Sequence, residues 1–316
     1  MVWRPVLSTL ILAAAASLAP VPAHGAQKDL AKADHFPTAD GKSLVVDAAG
    51  LDVSLRTADV NRIEVETDLH IRGVGEEKAQ RWIDGHTPEF TDEETKLRVA
   101  VEPGKFGFLG FGHLSARARL ALLVPGDIAP DLTTTSGGIQ VRGDFPNASP
   151  LRLRTSTGDM EFVGAAVSID VRTASGDAQI EVIRPLDRLF ARTSSGDVRL
   201  VGGAREARVD TASGKIWLDD LSGAVEVSTS TGKITLRWDR LEAGRTVRIR
   251  SSSGRVQLVL PAGTRPGGTL TTTTGNVRSD FPGAVTEDGG ALCLTGDGPI
   301  FDVETASGDI LLTARD

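Results

Sequence analysis

Hydrophobic and polar side chains alternate along most of the chain, which is the pattern of β-strands that bury one face. From Leu132 onward the alternation is interrupted about every 18 to 22 residues by a short turn, Thr-x-Ser/Thr-Gly. This turn occurs nine times, at Gly137, Gly158, Gly176, Gly196, Gly214, Gly232, Gly254, Gly275 and Gly308. The recurrence predicts a repeat protein whose unit is a strand, a corner, a second strand and a connector.

Fixed columns of residue type flank each corner glycine. The third residue before it is a small hydroxyl residue in all nine copies, with Ser251 in place of threonine once. The fifth residue before it and the second residue after it are apolar in every copy. Because the buried positions switch from odd to even offsets at the glycine, the chain must change direction there, and glycine accepts the positive φ of such a corner.

A unit of this size cannot bury its apolar face alone, whereas identical units stacked in register give each side chain a like neighbour about 4.8 Å away. We therefore predict an all-β fold, a single-chain parallel β-solenoid (β-helix), with threonine hydroxyls hydrogen-bonding from rung to rung inside. The longer interval between Gly275 and Gly308 predicts one irregular rung with an inserted loop. The stack would then end on an open C-terminal edge that is available for self-association.

The first residues have the layout of a secretory signal peptide. Residues 1–25 contain Arg4, an apolar run from Val6 to Ala19 and the small-residue cleavage motif Ala23-His24-Gly25. This layout predicts an exported protein, periplasmic or extracellular, and no later segment is apolar enough to predict a transmembrane span.

Two further segments are expected after the signal. Residues 26–115 are predicted to form an N-terminal cap, with degenerate first rungs between Ser43 and Ile71 and a short helix from Glu76 to Ile83, ended by Gly85. Residues 116–316 are predicted to form the regular solenoid repeats.

Composition limits both the disulfide bonds that the chain can form and the kinds of partner it can bind. Cys293 is the only cysteine, so no internal disulfide can form. The formal net charge of -7 argues against nucleic acid and anionic membranes as main partners. The partner we expect is a protein or polysaccharide of the cell envelope or surface.

Two outward columns contain candidate binding residues. The residue after the corner is aspartate on three successive rungs, Asp159, Asp177 and Asp197, which would suit a shared Ca²⁺ ion. The column continues with Lys215, Lys233, Arg255 and Asn276, so the alternative is a position that is merely solvated. Four residues before the corner stand Arg154, Arg172 and Arg192, which would either grip sulfated or carboxylated glycans or pair with acidic neighbours such as Asp170 and the aspartate column.

A glycine-rich segment concentrates aromatic side chains. Phe106, Phe108 and Phe111 lie between Gly104 and Gly112, where they would form either a partner contact or a flap over the end of the stack.

Signals for catalysis are weak. None of the five histidines has the spacing of a metal site or a catalytic triad, and no cofactor motif is present. The adjacent Asp219 and Asp220 keep open the alternative of a carbohydrate-active, polysaccharide-processing β-helix. The favoured hypothesis is a non-catalytic protein with a binding or structural role.

The segments "TASGDAQIEV", "TSSGDVRLVG", "TASGKIWLDDLSGAVEVSTSTGKITL" and "TASGDILL" resemble the bacterial β-helical family known as "putative adhesin", a family of unknown function. The resemblance extends from about Ser43 to Leu312. It implies an extracytoplasmic β-solenoid associated with the cell envelope or surface, and it implies no catalytic residues.

Overall fold

The computed structural model of the protein describes residues 26–38, 41–102, 115–146, 150–286 and 290–315. In these residues the chain forms two long, mostly parallel sheets with a continuous apolar core between them. The predicted parallel β-solenoid is therefore confirmed. The signal-like residues 1–25 lie outside the described residues.

The N-terminal part contains seven strands and one helix. In chain order they are β1 (Ala26–Pro37), β2 (Ser43–Asp47), β3 (Asp52–Thr57), β4 (Arg62–Val74), α1 (Glu76–His86), β5 (Glu89–Asp92), β6 (Lys96–Ala100) and β7 (Ser115–Val124).

The repeats supply the remaining twenty strands. They are β8 (Ala129–Thr133), β9 (Ile139–Phe145), β10 (Leu151–Arg154), β11 (Met160–Ala166), β12 (Ser168–Arg172), β13 (Ala178–Val182), β14 (Leu186–Ser195), β15 (Val198–Val201), β16 (Ala204–Ser213), β17 (Ile216–Leu221), β18 (Ala224–Thr231), β19 (Ile234–Trp238), β20 (Thr246–Ser253), β21 (Val256–Pro261), β22 (Gly267–Thr274), β23 (Val277–Ser279), β24 (Gly283–Val285), β25 (Ala291–Thr295), β26 (Ile300–Ser307) and β27 (Ile310–Arg315).

Each rung contributes the strand after its corner to one sheet and the strand before its corner to the other. Sheet 1 has the order β1-β4-β7-β3-β9-β11-β13-β15-β17-β19-β21-β27-β23. Sheet 2 has the order β24-β25-β22-β26-β20-β18-β16-β14-β12-β10-β8-β2-β6-β5. Successive repeats pair in parallel and in register, so Val198, Ile216 and Ile234 form one buried aliphatic stack.

The corner glycines are required by the close approach of neighbouring rungs. At all nine corners, an added Cβ would lie less than 3.0 Å from a backbone carbonyl oxygen of the adjacent rung. Positive φ occurs at seven of the nine, from Gly176 to Gly308. Backbone contact is therefore the more general reason for glycine, and the turn conformation predicted from the sequence is a second reason at most corners.

The hydroxyl column before the corner is buried throughout; some of its hydrogen bonds run from rung to rung as predicted, and others stay within one corner. Thr155 donates to the carbonyl of Gly137 on the preceding rung at 3.2 Å, whereas Thr211 donates to Ser213 within its own corner at 3.2 Å. In both cases the acceptor is a corner carbonyl. Within the described part of the chain, the buried hydroxyls of Thr173, Thr193 and Ser251 have no partner.

The N-terminal region joins the same stack. β2 pairs in parallel with β8, and β3 pairs in parallel with β9, so these strands lie next to the first regular repeat. β4, expected to be part of a degenerate rung, instead runs antiparallel between β1 and β7. Alternation has the same period in both directions, so the pattern does not report strand orientation.

Helix α1 buries Ala79 and Ile83 and contacts β1 and β4. It continues past the predicted end at Ile83 to His86. The Thr87 hydroxyl donates to the carbonyl of Ile83 at 2.8 Å, which satisfies one acceptor of the last turn.

The C-terminal rung occupies an unexpected place. β26 and β27 insert between the rung of Gly254 and the rung of Gly275, and β24 and β25 fold back antiparallel beside β22. The predicted open C-terminal edge formed by the last rung is therefore wrong. The outermost strands at this end are β23 and β24, each only three residues long, and such short edges discourage pairing between sheets.

We expect Gly196→Ala to destabilise the protein by about 3 kcal/mol or more, the upper end of overpacking costs, because its Cβ would collide with the Gly176 carbonyl. Gly263→Ala is the control, since no atom lies within 4 Å of its added Cβ. Denaturant unfolding measures both variants. Equal stability of the two variants would show that close rung contact is not what requires glycine.

Candidate functional site

The predicted arginine column lies on the outer face of sheet 2. Arg154, Arg172 and Arg192 are aligned in register on three neighbouring strands. With hydroxyl residues that include Thr133, Ser156 and Ser194, they line a shallow groove of about 280 Å³. The structure thus brings together all three arginines that the sequence singled out.

The three arginines differ in how far their charge is compensated. Arg154 pairs with Asp131, and Arg172 donates two hydrogen bonds to Asp170 at 2.9 and 3.0 Å. The Arg172 guanidinium also lies 5.0 Å from the centroid of the Phe190 ring. Arg192 is exposed and has no ion pair with any described residue. The groove therefore ends in an uncompensated cation.

Charges on the rest of the sheet 2 face are largely paired across neighbouring strands. Arg208 lies 3.2 Å from Glu226, and Arg248 and Arg250 both contact Asp302. The hydrogen bond from Arg250 is the main reason that the pKa of Asp302 falls below its ordinary value. An anionic ligand would thus meet less free positive charge here than beside Arg192.

The aspartate column lies on the other sheet, at the corner end of sheet 1. Each carboxylate accepts a hydrogen bond from the backbone N–H of the equivalent residue on the next rung. The Asp159 carboxylate accepts from the N–H of Asp177 at 2.8 Å, and the Asp177 carboxylate accepts from the N–H of Asp197 at 2.8 Å. The Asp197 carboxylate accepts from the N–H of Lys215 at 2.7 Å. Asp52 does the same for Gly138, at 2.9 Å. The column is a ladder of side chains that supports the backbone of the next rung. The sequence alone could not show that the donors to these carboxylates are backbone N–H groups.

The hydrogen bonds of the aspartate column do not favour the Ca²⁺ site suggested from the sequence. One oxygen of each aspartate faces a backbone amide, and no group of three or more His, Cys, Asp or Glu side chains in the described ranges converges to hold a metal ion. The arginine column and the aspartate column lie on different sheets, so of the two suggested acidic partners only Asp170 pairs with an arginine of the column.

The phenylalanine-rich segment, with Phe106, Phe108 and Phe111, lies outside the described residues. Its role as a partner contact or as a flap over the stack therefore stays a prediction.

Trp217 was not identified by sequence reasoning. It lies on the outer face of sheet 1 and is 41% exposed, and the guanidinium groups of Arg199 and Arg237 lie 5.7 and 6.0 Å from its ring centroid. Its neighbour Thr235 is only 7% exposed although it also faces outward. An alignment of the repeats could have singled out Trp217, because it is the only aromatic residue three positions after a corner glycine.

Asp220 has an unusual backbone and an unusual electrostatic environment. Its φ of 57° lies in the left-handed region, which is costly for a residue with a side chain. Burial raises the pKa of its carboxyl, and the carboxylates of Asp219 and Asp239 raise it further. Asp219 lies 3.5 Å from Arg237. The acidic pair thus contains two carboxyls in different environments.

The fold and its outward columns define a single-chain parallel β-solenoid with two differently charged faces. The chain belongs to the family described as Toastrack DUF4097, whose family model matches residues 42–313. This match confirms the resemblance to the "putative adhesin" family of unknown function.

Several solved structures are similar to the chain. One is described as a putative lipid binding protein from Parabacteroides distasonis ATCC 8503, with 12% identity, 90% of this chain and 97% of that chain covered, and a TM-score of 0.49. Another is described as a putative adhesin from Parabacteroides merdae ATCC 43184, with 11% identity, coverage of 90% and 96%, and a TM-score of 0.42. At these values the likeness carries no information about a ligand.

A comparison with curated proteins finds no significant match. In the part of the chain that the structure describes, no helix has the length and apolar character needed to cross a membrane.

We expect Asp177→Ala to lower the free energy of unfolding by about 0.5 to 1.5 kcal/mol, the usual net value of a hydrogen bond. Asp177→Asn keeps the oxygen that accepts from Asp197 and should stay close to the wild type. Denaturant unfolding with and without millimolar calcium measures both. Equal losses in the two variants, together with stabilisation of the wild type by calcium, would indicate a cation site instead of a backbone ladder.

Proposed function

We propose that this protein is an exported, non-catalytic β-solenoid that binds an acidic polysaccharide of the cell envelope in the arginine groove of sheet 2. The observation that carries the proposal is the alignment of Arg154, Arg172 and Arg192 on adjacent strands, with Arg192 left uncompensated.

The chemistry of the groove suits carboxylated or sulfated sugars. Guanidinium groups bind carboxylates in a two-pronged geometry, and strands stack about 4.8 Å apart, so the column presents donors at a regular spacing. The hydroxyls of Thr133, Ser156 and Ser194 line the same groove and can exchange hydrogen bonds with sugar hydroxyls. An extended polymer would therefore meet charged and neutral donors along its length.

Export and the absence of catalysis have separate support. The signal-peptide layout of residues 1–25 supports export to the periplasm or beyond the cell. Of the histidines in the described ranges, His35, His70 and His86 belong to the N-terminal strands and helix, and none lines the arginine groove. A passive binding surface fits this distribution.

A carbohydrate-processing role is the second candidate. Asp220 has a left-handed backbone and a carboxyl with a raised pKa, and the neighbouring Asp219 is paired with Arg237. Two carboxyls in different environments are what acid-base cleavage of a glycosidic bond needs. Incubation with polyuronides and assay for released oligosaccharides tests it. Product release that Asp220→Asn abolishes would establish this role in place of passive binding.

We expect the mature protein to bind polygalacturonate but not neutral dextran, with an affinity that falls as salt is raised. Arg192→Gln should weaken the binding about tenfold, equivalent to losing about 1.4 kcal/mol, because it removes the uncompensated cation. Isothermal titration calorimetry measures the dissociation constants.

Arg205→Gln is the matched control, because Arg205 is exposed, pairs with Asp187 and lies outside the groove. Equal binding of polygalacturonate and dextran, or equal affinity of the Arg192 variant and the control, would contradict the proposed site.

A further inference from the structure

The sign of the charge reverses halfway along the outer face of sheet 1. The reversal lies between β15 and β17, in the column of residues that follow the corner glycines. On the three rungs before it this column contains Asp159, Asp177 and Asp197, and on the three rungs after it Lys215, Lys233 and Arg255. This column is therefore bipolar as far as Arg255, and beyond it Asp309 on β27 is acidic again. We call the strands before the boundary the acidic half and those after it the basic half.

The other two outward columns are mixed in charge. Three residues after the corner, Arg199 on β15 is the neighbour of Trp217 on β17. Five residues after the corner, Glu181 lies before the boundary and Arg237 after it, while Arg142 and Asp219 have the opposite sign to their side of the boundary. The column directly after the corner glycines therefore carries the reversal.

We propose that this face is self-complementary and that two copies of the chain associate through it in a symmetric dimer. A two-fold axis parallel to the strands, placed over the boundary between β15 and β17, preserves strand direction and reverses the order of rungs. Each residue then faces the residue at the same offset from the corner glycine on the mirrored rung of the other copy.

The axis brings opposite charges together at four mirrored positions. Asp197 of one copy faces Lys215 of the other, Asp177 faces Lys233, Asp159 faces Arg255 and Glu181 faces Arg237. Close to the axis, Arg199 faces Trp217, which permits a cation–π contact. Because the interface is isologous, each contact occurs twice.

The extent of the face is sufficient for a modest interface. Five strands on one side of the axis, β3, β9, β11, β13 and β15, face five on the other, β17, β19, β21, β27 and β23. At about 4.8 Å per strand and about 13 Å across three outward positions, each copy covers roughly 600 Å², the lower end for specific interfaces. A salt-sensitive dimer of moderate affinity is expected.

A second copy fits this face better than a polymer of one charge. A polyanion would be repelled by the acidic half and a polycation by the basic half, whereas another copy matches both. The exposed Trp217 lies next to the axis, and tryptophan at the centre of an interface often contributes most of the binding energy.

Existing ion pairs on this face do not prevent the association. Lys215 lies 3.8 Å from Asp197, Arg255 lies 3.7 Å from Asp309 and Arg237 lies 3.5 Å from Asp219. These are long contacts of partly or fully exposed side chains and have little strength. Lys233 is exposed and has no ion pair with a described residue. The basic half therefore keeps positive charge for a partner.

The experiment is a charge exchange at Asp177 and Lys233. Sedimentation velocity of the full mature protein should show a dimer whose dissociation constant rises at least about tenfold when salt is raised from about 0.05 M to about 0.5 M. Lys233→Glu alone places two carboxylates in contact across the axis, and Asp177→Lys alone places two ammonium groups there. Each variant should be monomeric at concentrations where the wild type is dimeric.

An equimolar mixture of the two variants should form the dimer again. In the mixed pair, Asp177 of one copy faces Lys233 of the other, and the two introduced charges also face each other with opposite sign. Lysine is compatible with this column, since Lys215 and Lys233 occupy it naturally. Thermal melting verifies that each variant is folded.

Lys78→Glu on α1 is the matched control for the charge change and should leave the dimer intact. A monomeric wild type at low salt, single variants that dimerise like the wild type, or a mixture that stays monomeric would each overturn the proposal. Open-ended oligomers would also overturn it, because they indicate pairing through strand edges. The result is independent of the arginine groove, which lies on sheet 2 and is tested by polysaccharide binding.

Discussion

At every corner of this solenoid, the carbonyl oxygen of one rung occupies the place that a Cβ of its neighbour would need. Glycine at that position lets the two backbones touch, and the contact fixes how neighbouring rungs are aligned. Once the corners are aligned, every column before and after them is aligned as well. The buried aliphatic stacks and the outward rows of charge both depend on this one contact.

The alignment gives each outward side chain neighbours from other rungs as well as from its own strand. Outside the arginine groove, many acids on sheet 2 lie beside bases on neighbouring strands, so these charges are compensated within one chain, as Arg208 and Glu226 are. On sheet 1 the charges are arranged in two blocks, so like charges stand side by side. The same stacking rule thus produces a largely neutralised face with an uncompensated Arg192 in its groove, and a face whose complement lies in another molecule.

The order of the rungs in space differs from their order along the chain at the C-terminal end. The final rung, which contains Gly308, lies between those of Gly254 and Gly275, and its strands pair in parallel with both neighbours. This order places the β24–β25 hairpin at the end of sheet 2 and leaves four strands of sheet 1 beyond β17. The order of rungs therefore determines both the end of the stack and the extent of the bipolar face.

Local alternation and spacing along the chain were enough to predict the corner glycines, the buried columns, the parallel solenoid and the arginine column. They did not predict the antiparallel direction of β4, because alternation has a period of two in either orientation. Nor did they predict the place of the last rung, since equivalent columns fit beside several neighbours. The folded chain was needed to show that Asp177 accepts from the backbone of Asp197, and that Arg192 lacks a described partner while Arg172 has Asp170. Hydrogen bonds and ion pairs depend on distances in space, and those distances exist only after the rungs have stacked.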